Sequence, residues 1–474
     1  MNWLVAFPEI ALSVFAMAIL LAGVFTRETV SFQLSSMLSL GALLLTAGCV
    51  VASPQGIGFG GLFVADAFSR FSQILILAAA ALAIILSLDF NRQQDGMARS
   101  EFPVLILFAT IGMMIMVGAS NLITLYLGLE LQSLALYVIA AFARDTLRSA
   151  EAGLKYFVLG SLASGLLLYG MSLTYGFSGT TDFAQIAAAL TSGTPSAGLV
   201  IGMVFVLSGL VFKVAAVPFH MWSPDVYEGA PSSVTALLGS APKVAALALL
   251  IRVMIGPFGH LVGQWQLLVE IISIASLILG ALAPLVQTNI KRLMAYSSIG
   301  HIGYALMGLA AGTAAGTTAT LIYLATYVFM TLGAFGVIVA MRQSGRPVEK
   351  ITDLAGLGHN DGALALGMTV FMLSMAGVPP LSGFFGKLYV FLAAIQSGLW
   401  TLAVIGVITS VIGAYYYLRI VKIMYFDTPV LAFDRRAPSL SFVVAVSGIA
   451  TVFFILVAGP VTTAAQAAAS ALLG

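Results

Sequence analysis

Apolar runs of roughly 20 residues follow one another along nearly the whole chain, separated by short polar connections, and within a run apolar and polar positions do not alternate. The runs fall at 4–25, 30–52, 62–88, 102–118, 121–142, 152–176, 199–219, 232–255, 267–288, 293–311, 317–341, 363–396, 401–426 and 439–463. A transmembrane barrel would instead show short alternating segments. The pattern predicts an all-α polytopic membrane protein with about fourteen transmembrane helices.

Two stretches do not fit single straight spans. Read as unbroken helices, residues 199–232 would measure about 51 Å and residues 362–397 about 54 Å, against a hydrocarbon core of about 30 Å. Both contain breakers, Pro218 and Pro224 in the first and Gly377, Pro379, Pro380 and Gly383 in the second. Proline has no amide hydrogen and clashes with the preceding turn, so each helix must open there. The breaks hold matching places in successive blocks of five spans, and a repeat of five inverts its own topology. Two inverted five-helix repeats, each with a broken helix, point to a transport site near the midplane. The predicted units are a three-helix N-terminal segment (1–100), repeat one (101–260, spans 4–8), repeat two (261–430, spans 9–13) and a final span (431–474).

Composition agrees and excludes much. The chain is 60% hydrophobic and 8% charged, with a mean hydropathy of +1.07. A net charge of +2 implies no nucleic-acid partner. The single cysteine, Cys49, cannot by itself ligate a cluster or a structural zinc. No Walker A sequence, paired-cysteine motif or zinc-protease motif occurs, and Gly56-Ile57-Gly58-Phe59-Gly60-Gly61 lacks the strand and helix context of a dinucleotide loop. No redox centre is expected in this chain. The first run carries Glu9 and has no basic residue before it, which predicts an uncleaved span rather than a secretory signal.

Basic residues mark one side of the membrane. Arg27, Arg92, Arg99, Arg144, Arg148, Lys291, Arg292, Arg342, Arg346, Lys350, Arg419, Lys422, Arg435 and Arg436 all follow odd-numbered spans. By the positive-inside rule these connections are cytoplasmic and both termini periplasmic in a bacterial inner membrane. Arg252 is the main exception.

Within the runs lie charges that composition does not require. Lys213, Lys243 and Lys387 would each cost about 2.5 to 3.5 kcal/mol at the bilayer centre. An ammonium in a low-dielectric site releases its proton more readily, so buried lysines are candidate proton carriers. Glu130, near the middle of the fifth span, is expected to pair with Lys213. Lys243 is expected inside an uninterrupted helix from 232 to 255. Lys155 at the start of the sixth span, His220 after the first break and His301 in the tenth are further relay candidates, imidazole titrating near neutrality. Tyr296, Ser297 and Ser298 are expected to support a water chain. Asp66 and Arg70, four residues apart, have the spacing of a self-contained structural pair.

Leu127-Gly-Leu-Glu130-Leu-Gln-Ser-Leu, Leu154-Lys155-Tyr-Phe-Val-Leu-Gly, the block from Lys213 to Glu228, Asn289-Ile-Lys291-Arg292-Leu-Met-Ala-Tyr-Ser-Ser298 and Gly377-Val-Pro-Pro-Leu-Ser-Gly-Phe-Phe-Gly-Lys387 resemble the antiporter-like subunits of bacterial NADH-quinone oxidoreductase, respiratory complex I. The blocks at Lys155 and Lys387 resemble subunit N in particular. Lys387 stands where M-type subunits carry glutamate, and no long lateral helix of the L-type subunit is expected after the last span. The resemblance implies proton translocation along a central axis through Glu130, Lys213, Lys243 and Lys387, coupled to NADH oxidation and quinone reduction elsewhere. It implies no cofactor in this chain; FMN, iron-sulphur clusters and quinone belong to partner subunits. The implied partners are other membrane and peripheral subunits, neighbouring antiporter-like subunits above all, within the lipid bilayer. The second repeat has no acid matching Glu130. A cation/proton antiporter subunit, or a scaffold that keeps its charges structurally, would use the same residues.

Overall fold

A computed structural model describes residues 2–26, 28–191 and 195–473. Arg27 and the termini Met1 and Gly474, all used in the orientation reading, lie outside them.

Polar residues placed just before apolar runs start many of the helices. Asp66, Asn121, Asp182, Ser196, Asn289, Thr313 and Asp361 each accept a backbone amide hydrogen of the following first turn, satisfying donors that have no partner inside the helix. The N-terminal segment is α1 (Phe7–Phe25), α2 (Glu28–Ala52) and α3 (Ala67–Arg92). There follow α4 (Glu101–Val117), α5 (Leu122–Ala140), α6 (Leu147–Ser178), a short α7 (Phe183–Ala189), α8 (Ala197–Val214), α9 (Trp222–Gly229), α10 (Ser232–Leu238) and α11 (Ala241–Ile255). The next set is α12 (Val262–Leu282), α13 (Ile290–Ala310), α14 (Ala314–Ala340), α15 (Leu357–Asn360), α16 (Gly362–Ala376), α17 (Ser382–Gln396) and α18 (Trp400–Phe426). The chain closes with α19 (Pro438–Val452) and α20 (Phe454–Leu473). Two small hairpins, β1 (Gly56–Gly58) with β2 (Phe63–Ala65) and β3 (Arg342–Gln343) with β4 (Arg346–Pro347), are its only paired strands among the described residues.

The protein is thus an all-α polytopic membrane protein. Eleven helical stretches among the described residues are long and apolar enough to cross a bilayer, and α4, α16, α17 and α19 are shorter apolar helices. α10, α11 and α14 are buried nearly all round and form the centre, whereas α6, α12, α18 and α20 keep broad apolar faces outward, as lipid-facing helices do. With lipid outside, apolar burial gives helices little reason to associate, and close backbone approach takes over. A Cβ on Gly280 of α12 would stand 2.4 Å from the Gly300 Cα of α13, and one on Gly170 of α6 would stand 2.6 Å from the Val206 amide of α8.

Both expected breaks are present, the first between α8 and α9 and the second between α16 and α17. Four expectations need correction. The third apolar run begins as strand β2, and its helix starts only at Ala67; the glycine cluster forms the hairpin turn, with positive φ at Gly60 and Gly61. The run 232–255 is interrupted, because Gly239 and Ser240 (φ −121°, ψ −93°) leave the helix before Pro242 opens α11. The last run is divided at Phe453, and its second helix extends to Leu473. Asp66 does not pair with Arg70: it caps α3 and holds Arg252 at 2.8 Å, while Arg70 donates to the Ser53 carbonyl. This ion pair also accounts for Arg252 on the side otherwise poor in basic residues.

Candidate proton-relay site

The two broken helices end in the same way. α8 passes into left-handed Ala215 (φ 60°), where the Ala216 amide donates back to the Val211 carbonyl at 3.1 Å. α16 passes into left-handed Gly377 (φ 91°), where the Val378 amide donates to the Leu373 carbonyl at 3.0 Å. This closure leaves the last helical carbonyls, Val214 and Ala376, free of backbone partners and at the negative end of each half-helix dipole. A lysine ammonium takes each one. Lys243 Nζ donates to the Val214 oxygen at 2.6 Å, and Lys387 Nζ to the Ala376 oxygen at 3.0 Å. Both lysines are buried. They arrive differently, Lys243 from the first turn of α11, opened by the Gly239–Pro242 break, and Lys387 from α17 beyond its own break.

Lys213 occupies the last turn of α8 and donates to Ser133 Oγ at 2.7 Å and to the Tyr137 hydroxyl at 3.3 Å. Glu130, Ser133 and Tyr137 share one face of α5 at helical spacing. The expected Glu130–Lys213 ion pair is not formed. Glu130 turns toward α6, where its carboxylate accepts the Ser164 hydroxyl, and it acts on Lys213 only coulombically across one turn of α5. Sequence spacing placed the carboxylate one turn from Ser133 on α5 but could not fix which neighbouring helix it faces.

An aromatic stack separates Lys213 from Lys243. Tyr137 meets Tyr156 edge-on at 4.8 Å, and Tyr156 stacks on Trp222 at 4.5 Å. Lys213 lies 5.6 Å from the Tyr137 ring and Lys243 5.4 Å from that of Trp222, so the rings also solvate both cations.

Lys387 belongs to a second polar cluster. Its ammonium also donates to Ser410 Oγ at 2.8 Å and sits 4.8 Å from the Tyr304 ring. It lines a cavity of about 20 Å³ with His301, Ser297, Ser410 and Tyr417, enough for a water molecule. His301 bonds Tyr323 through Nδ1 at 2.6 Å and Tyr417 through Nε2 at 3.1 Å, so both ring nitrogens are in hydrogen-bonded chains. Ser297 bonds Tyr417 and Ser298 bonds Tyr327 at 2.8 Å. Tyr296 points elsewhere and packs near Arg292.

His220 is half-buried in the first break, and among the described residues its ring bonds none of the lysines. Lys155 is likewise off the central row. It binds Glu151 at 2.8 Å and Asp225 at 2.9 Å, as one member of a charge network on the basic face. Arg292 joins Asp225 (2.7 Å) and Glu228 (3.1 Å), Arg148 joins Glu228 (3.2 Å) and Glu349 (2.9 Å), and Lys291 holds Glu349 at 2.6 Å. Burial would raise the Glu349 carboxyl, but Lys291, Arg148 and Asn289 outweigh it and hold it below the ordinary carboxylate value.

Residues 119–413, which contain both breaks and Lys213, Lys243 and Lys387, match the family described as NADH:quinone oxidoreductase/Mrp antiporter, TM. The chain belongs to this family. It is similar to the NADH-quinone oxidoreductase subunit N of Granulibacter bethesdensis, with 59% identity covering 100% of both chains. Among solved structures it is similar to a chain of respiratory complex I from Thermus thermophilus, with 31% identity, 97% of this chain and 99% of that chain covered, and a TM-score of 0.83. A chain of the Mrp complex from Dietzia sp. has the same fold (TM-score 0.85, 100% of both chains) at 21% identity.

For this antiporter-family chain, sequence reading missed the aromatic stack, the Asp225–Glu228–Glu349 network and the break beside Lys243. The last had a signal, since Gly239-Ser240-Ala241-Pro242 carries a breaker pair inside an apolar run. Asp225 and Glu228 were visible as acids one turn apart, but their partners come from distant helices.

Proposed function

We propose that this chain is the proton-translocating N subunit of a bacterial NADH-quinone oxidoreductase in the inner membrane, with both termini periplasmic and the basic loops cytoplasmic. The observation that carries the reading is the matched capping of two half-helix ends by buried lysines. A carbonyl at a helix C-terminus stabilises the ammonium there, and a shift of the half-helix weakens that contact and favours proton release. Glu130, Lys213, Lys243 and Lys387 then serve as successive stations within two inverted repeats. The Ser410, His301 and Tyr417 cluster offers hydroxyl and imidazole groups for onward transfer. Lys155 belongs to the charge network rather than to the relay, and His220 is the weaker of the two histidine candidates.

In this reading the chain oxidises nothing. NADH oxidation by flavin, electron passage through iron-sulphur clusters and quinone reduction take place in partner subunits, and neighbouring antiporter-like subunits extend the axis through the membrane.

Mild detergent extraction tests the assignment. The chain is expected to co-purify with a flavin-containing NADH-oxidising assembly whose turnover acidifies one side of reconstituted vesicles. Sodium-dependent proton exchange by the chain without such an assembly would replace this reading with the antiporter one.

A further inference from the structure

Arg342 follows α14 on the basic face and is 6% exposed, yet its Nε and Nη1 have no hydrogen-bond partner. Only Nη2 is engaged, by the Gln93 and Gly345 carbonyls. Arg342 lines a cleft of about 410 Å³ together with Asp89, Asp434, Arg435 and Arg436. The aspartates do not answer its free edge. Asp434 uses both oxygens on the Ser344 and Gly345 amides, at 3.0 and 2.8 Å, and Asp89 accepts Ser439 and lies 3.7 Å from Arg92. Asp361, in the adjoining cleft, caps α16 and pairs with Arg436. Arg435 is exposed and makes no hydrogen bond or ion pair among the described residues. Arg435 therefore presents unused donors to the cleft, and Arg342 holds two further unpartnered donors buried in its wall, a cationic pair suited to the oxygens of a phosphate.

The cleft does not end at its charges. It shares Asp434, Arg435 and Arg436 with a neighbouring space of about 890 Å³, which shares Leu364, Arg436 and Ser441 with an apolar groove of about 410 Å³. That groove runs between α16 and α19, past Leu366, Val370, Val444, Gly448 and Phe453, of which Leu366 and Phe453 are exposed on the outer surface. From Ser441 to Val452 α19 rises about 16 Å, close to the roughly 15 Å depth of one leaflet's hydrocarbon. A charged mouth on the basic face continuous with an apolar channel of leaflet depth has the shape of one amphiphile.

We propose that this surface binds one anionic phospholipid, its phosphate on Arg342 and Arg435 and an acyl chain in the groove between α16 and α19. The site lies apart from the buried lysines and does not depend on their role in proton transfer.

The test uses the assembled complex in three forms: wild type, the double variant Arg342→Gln with Arg435→Gln, and Gly448→Leu. The leucine has room, because the nearest atom to a Cβ at Gly448 is 4.0 Å away, and it fills the groove without touching either arginine. Each complex is delipidated, recharged from vesicles of dioleoyl-phosphatidylglycerol, and its retained lipid counted by native mass spectrometry, with inorganic phosphate as competitor. Each variant is expected to retain one phosphatidylglycerol fewer than wild type, and phosphate is expected not to displace it. Equal lipid counts in wild type and Gly448→Leu overturn the proposal, even if the double variant does not assemble. Arginine-dependent phosphate binding that Gly448→Leu leaves unchanged also overturns it, in favour of a soluble anion.

Discussion

The Lys243 ammonium donates to the Val214 carbonyl at 2.6 Å, across a gap in sequence of 29 residues. Lys387 repeats the contact with Ala376 at 3.0 Å. Burying two ammonium groups costs several kcal/mol each unless something answers the charge. Helix-end carbonyls answer it only in part, typically by about 0.3 to 2 kcal/mol. A purely structural protein would do better with apolar residues at both places.

Methionine separates the two possibilities. It is similar in length and carries no desolvation cost, so a packing role predicts that Lys243→Met and Lys387→Met are tolerated or stabilising. A relay role predicts inserted, assembled protein whose proton translocation falls about a hundredfold or more, the scale on which a positioned proton-transfer group matters. Arginine should not restore transport, since guanidinium keeps its proton. Proton uptake by vesicles of assembled complex, normalised to protein, decides; wild-type pumping in both methionine variants would remove the relay.

Glu130 reaches Lys213 through space rather than by contact. Two unit charges roughly 8 Å apart at an effective dielectric near 20 interact by about 2 kcal/mol, or a factor of about 30 in a protonation equilibrium. Glu130→Gln is therefore expected to assemble and pump poorly. Ser133→Ala should be milder, because Tyr137 remains beside the ammonium at 3.3 Å. If the serine variant proves the more damaging in the same uptake assay, direct hydrogen bonding outweighs the carboxylate's field.

Much of this arrangement was legible in the sequence, for identifiable reasons. Apolar runs of membrane length and the Pro218 and Pro379-Pro380 breakers act locally, so the helices and both major gaps could be placed. The burial of Lys213, Lys243 and Lys387 followed from their positions in those runs. Partners did not. Asp66 takes Arg252, 186 residues away, in preference to Arg70 one turn along. Glu130 turns to Ser164, and Lys243 finds its carbonyl on another helix, because helix rotation and tertiary packing rather than spacing decide which groups meet.

Orientation makes a separate prediction. Positive charges cluster on the face that holds Arg342, Arg346 and Arg435, while the connection between α2 and α3 through Gln55 lies on the opposite side of the chain's alternation. In a Cys49→Ser background, Gln55→Cys should react with an impermeant thiol reagent added outside intact cells. Arg346→Cys should react only after the membrane is opened. The reverse pattern would invert the topology and exchange the two sides of the proton path.

The charge network on the basic face sets a last expectation, about acid. Glu349 accepts Arg148, Lys291 and Asn289, and its backbone carbonyl accepts the Ile290 amide at 2.8 Å, so one loop residue ties the starts of α6 and α13 together. Its carboxyl is held below the ordinary 4.5 despite burial. A depressed carboxyl contributes stability that is fully present above its unfolded value and lost as pH falls through its folded one. The wild-type melting temperature should therefore owe nothing to Glu349 titration between about pH 7 and 6, and the contribution should fade below about pH 4.5. Glu349→Gln keeps the shape but leaves Lys291, 2% exposed, without its counter-charge. Breaking a buried pair in this way costs up to about 3 to 5 kcal/mol. The variant should melt lower at pH 7 and show a shallower further loss in acid, so that the two curves converge. Thermal unfolding of the detergent-purified protein across that range checks both features, and parallel curves for the two proteins would show that the Glu349 contacts do not hold the helix starts together.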